Sequence, residues 1–359
     1  MILRVFAAVV LGAATHAFAA EPVALTGRAL GTTWTVKFLQ PAPPLNPATL
    51  TARISATLER LEQQFSTYRP NSELSRFNLA RTTDWITVSP ELARVATDSR
   101  ALSVLTGGAF DATIFPLVDL WGFGPQRRSG PPPSAAEISA ARARTDFRRL
   151  ESRAAPPALR KISADLAADF SSMAKGFAAD TVAAQLSSLG STRHYVQIGG
   201  DIATTGPHPW RVAIEHPTTP QTLPGVPPVS APKPTPTPSD GPATFLSPPT
   251  RAHARTVDLA GQALSTSGDA HNAFTHAGRR YGHILDPRTG EPVSSPLASV
   301  SVIAPTCAQS SARATALFVL GPDAGYALAL REQWPALFLI REGPSFTPRP
   351  TPEFTRLTR

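Results

Sequence analysis

Cysteine is nearly absent from this sequence, because Cys307 is the only one among 359 residues. A single cysteine cannot form an internal disulfide, and it excludes zinc sites that are built from several thiolates. Lysine is scarce as well, since only four of the 34 basic residues are lysines. Arginine therefore carries most of the positive charge, and a lysine at a distinctive position is a candidate for a specific contact by its compact ammonium group.

Long hydrophobic runs are also missing. The N-terminal apolar stretch VFAAVVLGAA follows Arg4, is too short to span a membrane, and leads to AFA, a small-x-small cleavage pattern. These features predict a cleaved signal peptide over residues 1–20 and an exported, periplasmic, soluble mature protein that does not itself span the membrane. No cysteine follows the apolar stretch, which argues against a lipid anchor.

Acidic residues are fewer than basic ones, and the formal net charge is +8. Removal of the signal peptide removes Arg4, which leaves 33 basic and 26 acidic residues and a charge of +7. Such a charge favours anionic ligands or membrane surfaces. The arginines are scattered, however, and no ladder of aromatic and basic residues accompanies them, so we do not expect nucleic acid as a partner.

The segment over residues 169–202 carries the most informative pattern. It predicts an amphipathic helix, with Asp180 away from its apolar face. A strand over residues 195–198 follows and leads into a turn at residues 199–201, sequence GGD. Ser172 and Lys175 fall in the first turn of the helix, where unpaired backbone N–H groups can bind phosphate. A solvated position on the helix surface is the alternative interpretation of Lys175, and spacing alone does not separate the two.

Hydrophobic periodicity predicts further elements on both sides of this segment. We expect a single strand over residues 26–38. A helix is indicated by apolar residues at three- and four-residue steps, namely Ile54, Leu58, Leu61 and Phe65, and a second helix is expected after the N-cap Ser89. Towards the C terminus we expect a strand over residues 257–264, followed by a hydroxyl-rich turn over residues 265–269.

Two polar features interrupt apolar stretches. Asp111 lies within GGAFDATIFPLVDLWGFGP, where the aromatic residues are predicted to fill core and the acid requires hydrogen-bond donors. Ser311 and Thr315 lie four residues apart on the predicted helix AQSSARATALFVLG, which we expect to end at Gly321, and they therefore share one face. The alternative for this pair is two hydroxyls that are solvated or bonded back to the helix backbone.

Between about residues 217 and 250 the sequence is dense in proline, threonine and serine. Such a composition cannot form a core and favours extended, polyproline-like conformations. Because periodicity resumes on both sides, we predict a surface insertion within one domain over residues 21–343, followed by a C-terminal tail over residues 344–359. A recruitment arm is the alternative role for the insertion.

Eight stretches together resemble the ApbE-type flavin transferases, a family that moves FMN from FAD to a threonine of a target protein with Mg²⁺. They occur in the family's order, from Leu30 to Gly321: LGTTWTVKF, STYRPNSELSRFN, GGAFDATIFPLVDLWGFGP, DFSSMAKGFAAD, VQIGGDI, LSTSG, HILDPRTGEP and ARATALFVLG. Each stretch is short, but their combination is highly specific. We accordingly expect an α+β fold, with largely antiparallel sheets flanked by helices and a cofactor cleft between two lobes.

The resemblance also implies roles for individual residues. Contacts with FAD are expected from Leu30, Tyr68, Ala109, Phe110, Asp111, Asp169, Lys175 and Leu285. Oxygen ligands for Mg²⁺ are expected from Ser172, Ser311 and Thr315. Lys175 and the helix start are suited to the diphosphate of FAD. His283 is our candidate for the base that accepts the proton of the acceptor threonine, because imidazole titrates near neutral pH; a structural role in a strand is the alternative.

The sequence departs from the family at the expected metal site. The family's helix usually reads A-D-A-L-A-T-A, whereas this chain reads S-S-A-R-A-T-A, so that Ser311 replaces an aspartate and Arg313 replaces a leucine. Mg²⁺ prefers hard, usually anionic oxygens, and a neutral hydroxyl is a weaker ligand. Either Asp201 or Asp269 compensates for this loss, or metal dependence and activity are reduced.

Three functions are consistent with these observations. The main hypothesis is an exported FAD:protein FMN transferase that uses FAD and Mg²⁺ and modifies a threonine of a membrane-associated redox subunit. The second is an FAD pyrophosphatase, in which water replaces threonine and the products are free FMN and AMP. The third is a degenerate, non-catalytic FAD-binding or assembly protein, which the serine at position 311 favours.

Overall fold

A computed structural model of the protein describes residues 21–128, 130–217, 253–269, 272–343 and 345–358. Its helices are α1 (Pro47–Phe65), α2 (Glu73–Leu79), α3 (Pro90–Leu105), α4 (Phe115–Leu120), α5 (Ala135–Arg142), α6 (Ser171–Ser188), α7 (Cys307–Arg331) and α8 (Pro352–Leu357). Its strands are β1 (Val23–Ala29), β2 (Thr32–Phe38), β3 (Ile86–Thr87), β4 (Leu150–Ala154), β5 (Pro157–Lys161), β6 (His194–Ile198), β7 (Asp201–Thr205), β8 (Trp210–Glu215), β9 (His253–Leu259), β10 (Ala263–Gly268), β11 (Ala273–His276), β12 (Arg279–Gly282), β13 (Leu285–Asp286), β14 (Glu291–Pro292), β15 (Leu297–Ala304), β16 (Ala336–Glu342) and β17 (Ser345–Pro350).

The largest sheet has eight strands in the order β1-β2-β6-β7-β10-β15-β16-β17, and every neighbouring pair is antiparallel. The largest apolar cluster joins one face of this sheet to α6, α7 and the N-terminal helices. A second cluster joins the opposite face to the β8–β9 ribbon. The expected α+β class with antiparallel sheets flanked by helices is confirmed.

Two predicted strands are in fact pairs of strands. Residues 26–38 fall in the hairpin β1–β2, because the chain reverses at Leu30 and Gly31, whose φ angles are 52° and 69°. Residues 257–264 include the end of β9 and the start of β10, with a turn between them. The expected hydroxyl-rich turn at residues 265–269 is also wrong, since all but its last residue belong to β10, which pairs with β15. Periodicity does not reveal a reversal that keeps the alternation on both sides.

Helices α6 and α7 approach each other closely at a glycine. A Cβ atom on Gly176 would lie 2.4 Å from the carbonyl oxygen of Cys307, so only glycine permits this contact. One turn later on α6, the Asp180 carboxylate accepts the N–H groups of Cys307 and Ala308 at 2.8 and 2.9 Å. Asp180 therefore caps α7 instead of projecting from a polar helix surface, which corrects the sequence prediction.

The predicted end of α7 is also displaced. The helix runs from Cys307 to Arg331 and is interrupted at Gly321, whose φ of 81° and ψ of −176° are not helical. The chain re-enters a helix at Pro322 because proline is well suited to a first helical turn. The predicted break is therefore present, but it is a kink and not an end.

Three predicted segments flank or interrupt this fold. The signal peptide at residues 1–20 and the proline-rich insertion beyond Pro217 lie outside the described residues. In the C-terminal segment, β17 pairs with β16 and Phe354 of α8 is fully buried.

None of the helices in the described ranges combines the length and the apolar character that crossing a bilayer requires.

Candidate functional site

The residues singled out in the sequence meet at one cavity of about 1060 Å³. Its lining includes all twelve: Leu30, Tyr68, Ala109, Phe110, Asp111, Asp169, Ser172, Lys175, His283, Leu285, Ser311 and Thr315. They come from the β1–β2 turn, the loops before α2 and after α3, the start of α6, the β12–β13 region and α7. A cavity of this size accommodates a ligand as large as a dinucleotide.

The start of α6 forms a polar part of the wall. No side chain caps this helix at its N-cap position, Phe170. The Asp169 carboxylate accepts the N–H of Ser171 at 2.7 Å, and the Lys175 ammonium donates to the Ser171 carbonyl at 3.2 Å. Burial raises the pKa of Asp169, while the hydrogen bonds with Ser171 and the charge of Lys175 oppose this rise. The wall thus combines an ammonium group with a helix N-terminus, which favours an anion.

Tyr68 stands at the edge of the cavity. Its hydroxyl donates to the carbonyl of Phe123 at 2.7 Å, and the residue remains 51% exposed. Partial burial raises the pKa of the Tyr68 hydroxyl, and the negative charge of Asp169 adds to this effect. The anchored hydroxyl fixes the ring while leaving much of it open, as a stacking surface requires.

The carboxylate of Asp111 accepts hydrogen bonds from within the protein. Its carboxylate accepts the N–H and the hydroxyl of Thr113, both at 2.7 Å, and the N–H of Phe147 at 2.9 Å. The requirement for donors that the apolar context implied is therefore met within the protein. Burial raises the pKa of Asp111, and the hydrogen bonds with Thr113 and Phe147 oppose that shift. Asp111 shapes the wall, and its carboxylate is already engaged by three donors.

The hydroxyl pair on α7 faces strand β10. The hydroxyl oxygen of Thr315 lies 3.1 Å from the hydroxyl oxygen of Ser267. The Thr315 hydroxyl also donates to the carbonyl of Ser311, at 3.2 Å. One turn earlier, Ser310 and Ser265 are 2.8 Å apart. Only oxygen atoms are offered by Ser267, Ser311 and Thr315, and such oxygens suit a hard cation.

Arg313 does not add positive charge to this group of hydroxyls. Its guanidinium stacks on the ring of Trp334, with 4.6 Å between the guanidinium carbon and the ring centroid, and it is not part of the cavity wall. Burial lowers the pKa of Arg313. Arg313 lies away from the hydroxyls because residues 311 and 313 project from different sides of the helix.

The two acids proposed as substitutes for the missing aspartate have different surroundings. Asp269 accepts hydrogen bonds from Arg341 at 3.0 and 3.2 Å and lies 3.7 Å from Arg280, so its charge is already balanced. Asp201 is 5% exposed and lines the main cavity. The ranges that the structure describes contain no group of three or more His, Cys, Asp or Glu side chains arranged to hold a metal.

His283 and Leu285 line the cavity from the β12–β13 region. The backbone N–H of His283 donates to Asn272 at 3.1 Å, and its imidazole lies edge-on to Phe123, with ring centroids 6.3 Å apart. Phe123 also provides the acceptor for the Tyr68 hydroxyl. This places the candidate base beside the same aromatic residue that positions the candidate stacking ring.

Sequence reasoning did not single out several residues of the wall. Arg127, Gln197 and Thr266 all line the cavity. The positive charge of Arg127 acts on Tyr68 and opposes the rise in its pKa. Arg127 follows the aromatic and glycine-rich stretch WGFGP, so its proximity to that motif was the only available signal. Gln197 and Thr266 lie in the stretches VQIGGDI and LSTSG, so their place in these motifs was the signal that could have indicated them.

Comparison with known proteins gives concordant results. Residues 30–338 match the model of the ApbE family. The chain is 35% identical to the FAD:protein FMN transferase of Vibrio cholerae over 331 residues, which cover 91% of this chain and 90% of that protein. It is 33% identical to the enzyme of the same name from Escherichia coli over 348 residues, with 95% and 90% coverage.

Solved structures show the same likeness. The flavin transferase ApbE from V. cholerae superposes with a TM-score of 0.80 at 33% identity, covering 94% of this chain and 99% of that one. The apo form of the flavinyl transferase ApbE from Pseudomonas stutzeri gives a TM-score of 0.79 at 36% identity, with 94% and 97% coverage.

Proposed function

Because the chain belongs to the ApbE family, we propose that it is an FAD:protein FMN transferase. In this proposal FMN passes from FAD to the hydroxyl of a threonine in a target protein, and AMP is the second product. The observation that supports it most directly is the arrival of all twelve predicted site residues at one cavity.

The diphosphate of FAD is proposed to bind at the start of α6. The diphosphate of FAD carries two negative charges, and cleavage places further charge on the departing AMP. Lys175 and the N-terminus of α6 offer positive potential on the same part of the wall. Groups that are already oriented towards developing charge lower the barrier without reorganising during the reaction.

The transfer itself exchanges one phosphorus–oxygen bond for another. The threonine oxygen attacks the phosphorus on the FMN side, the new ester bond forms, and the bond to the AMP oxygen breaks. AMP leaves with the electron pair of that bond. We assign His283 as the acceptor of the threonine proton, because it lines the cavity next to Phe123 and histidine is the side chain that most often serves as a general base.

The hydroxyls on α7 fit the divalent cation that the family resemblance implies. Ser311 and Thr315 present oxygen atoms to the cavity, and Ser172 does so from α6. We propose that these three residues would hold Mg²⁺. When bound, the ion would offset negative charge on phosphate oxygens.

The proposed location rests on the N-terminal sequence, and the proposed partner rests on the family resemblance. A cleaved signal peptide over residues 1–20 would deliver the enzyme to the periplasm, where a membrane-associated redox subunit would present the acceptor threonine. Expression of the full-length chain tests this: the periplasmic fraction should contain a protein that lacks the first twenty residues. Retention of an uncleaved chain in the cytoplasm would contradict the proposed periplasmic location.

An in vitro transfer assay distinguishes the three candidate activities. The purified protein is incubated with FAD and Mg²⁺, with and without a polypeptide that carries the acceptor threonine of a flavinylated redox subunit. A transferase yields a fluorescent, FMN-modified polypeptide and an equal amount of AMP. AMP and free FMN without polypeptide modification would indicate a pyrophosphatase, whereas tight binding of intact FAD would indicate a non-catalytic protein, the function that Ser311 favours.

A further inference from the structure

Asp201 is a buried acid without a counterion of its own. It begins β7 directly after the turn at Gly199 and Gly200, is 95% buried, and lines the main cavity. Within the described parts of the chain, no donor forms a hydrogen bond with its carboxylate and no basic side chain forms an ion pair with it. A carboxylate that faces a cavity without a partner from the protein is available to a cation or to a donor from a ligand.

The backbone N–H groups at the start of α7 already donate to another acid, Asp180. Burial raises the pKa of the Cys307 thiol, and the negative charge of Asp201 adds to that shift, which places Asp201 near the start of α7. The backbone N–H groups of Cys307 and Ala308 have no partner within the helix, and both donate to the Asp180 carboxylate. The helix start therefore does not supply partners for Asp201.

The sheet register places Asp201 on the side of α7. Ile202 pairs with Leu264 on β10, and both belong to the apolar cluster on the opposite face of the sheet. Because neighbouring residues of a strand point to opposite faces, Asp201 points towards the helices, as Ser265 does on the adjacent strand. The hydroxyl of Ser265 contacts Ser310, the residue directly before Ser311.

We propose that Asp201 supplies the carboxylate ligand of the Mg²⁺ site, in the role that an aspartate at position 311 has elsewhere in the family. The inference rests on the proposed function, since the ion is the one that flavin transfer would use. Asp201, Ser311 and Thr315 line the same cavity. Asp269 does not take this role because Arg341 and Arg280 already neutralise it.

Direct binding of Mn²⁺ tests the assignment. Mn²⁺ accepts the same hard oxygen ligands as Mg²⁺, and electron paramagnetic resonance measures its binding. Purified protein is titrated with Mn²⁺ in the presence and absence of FAD. We expect Asp201→Asn to weaken Mn²⁺ binding at least tenfold and Asp269→Asn, the matched control, to change it less than twofold. Thermal unfolding without metal verifies that each variant is folded.

Relocation of the charge gives an independent test. Ser311→Asp in the Asp201→Asn background should restore Mn²⁺ affinity, because it returns a carboxylate to the same cavity. Unchanged Mn²⁺ binding in folded Asp201→Asn, or no Mn²⁺ binding by the natural protein, would overturn the assignment. Failure of the relocated carboxylate to restore binding would also overturn it.

The transfer assay separates this inference from the proposed function. FMN transfer that persists in EDTA, together with no Mn²⁺ binding, would overturn the metal ligand but leave the transferase intact. Conversely, Mn²⁺ binding that depends on Asp201 in a protein without transfer activity would support the ligand and refute the proposed function.

Discussion

At the scale of single residues, Lys175 is the side chain whose replacement tests the diphosphate seat. We expect Lys175→Met to weaken FAD binding roughly tenfold or more, since hydrogen bonds with charged groups are among the stronger ones. Fluorescence titration of FAD measures the change. Lys37→Met is a suitable control, because Lys37 is exposed on β2 and does not line the cavity. Equal FAD affinities for both variants would remove Lys175 from the site.

His283 tests the proton-transfer assignment. We expect His283→Ala to lower the rate of FMN transfer by a factor on the order of 10² to 10⁴, the usual contribution of a general base. FAD affinity should change by no more than a few-fold, because the role lies in the chemical step. His276→Ala on β11, outside the cavity wall, is the control. Transfer at the natural rate by His283→Ala would mean that the histidine is structural.

At the scale of elements, the contact between α6 and α7 sets the position of the helix starts that line the cavity. Alanine in place of Gly176 would gain about 1 kcal/mol from helix propensity. Its Cβ would, however, lie 2.4 Å from the Cys307 carbonyl oxygen, a backbone atom that cannot move alone. Overpacking of this kind costs about 1–3 kcal/mol, so the steric term exceeds the propensity gain.

We therefore expect Gly176→Ala to lower the free energy of unfolding by up to about 2 kcal/mol net, measured by chemical denaturation. Ser187→Ala, on the exposed side of the same helix, provides the matched control and should not destabilise the protein. A more stable Gly176→Ala variant would show that the two helices separate without cost.

At the scale of the whole molecule, His194 makes stability depend on pH. The side chain is fully buried in β6, and burial lowers its pKa from 6.5 to about 4. Between these two pH values the unfolded chain binds a proton that the folded protein excludes. Stability is therefore fully retained above pH 6.5 and falls as the pH decreases towards 4, by about 3 kcal/mol if the whole shift is expressed.

Comparison with His194→Gln isolates this contribution. The carboxyls of Asp111, Asp169 and Asp180 have pKa values raised by burial, and each favours the folded state as the pH falls. These acids are present in both proteins, so their effects cancel in the difference. We expect the stability advantage of the natural protein over His194→Gln to shrink between pH 6.5 and 4. A difference that does not vary with pH would contradict the buried neutral imidazole.

Much of the local structure could be predicted because it depends on neighbouring residues. The N-cap Ser89 accepts the N–H of Leu92 as expected, and the chain breaks its helical conformation at Gly321, whose φ is 81°. The reversals at Leu30 and between β9 and β10 were missed because alternation continues on both sides of each turn. Periodicity reports which face of a strand is buried, but it does not report where a strand ends.

The sequence alone indicated the family and twelve residues of the cavity wall, because the motifs that carry the resemblance occur in the family's order. Tertiary structure decided which of those side chains remain available. Asp111 and Asp269 are engaged by donors from distant parts of the chain, Arg313 lies on Trp334, and Asp201 retains an open carboxylate at the cavity. These outcomes depend on partners far apart in sequence, which only the folded chain brings together.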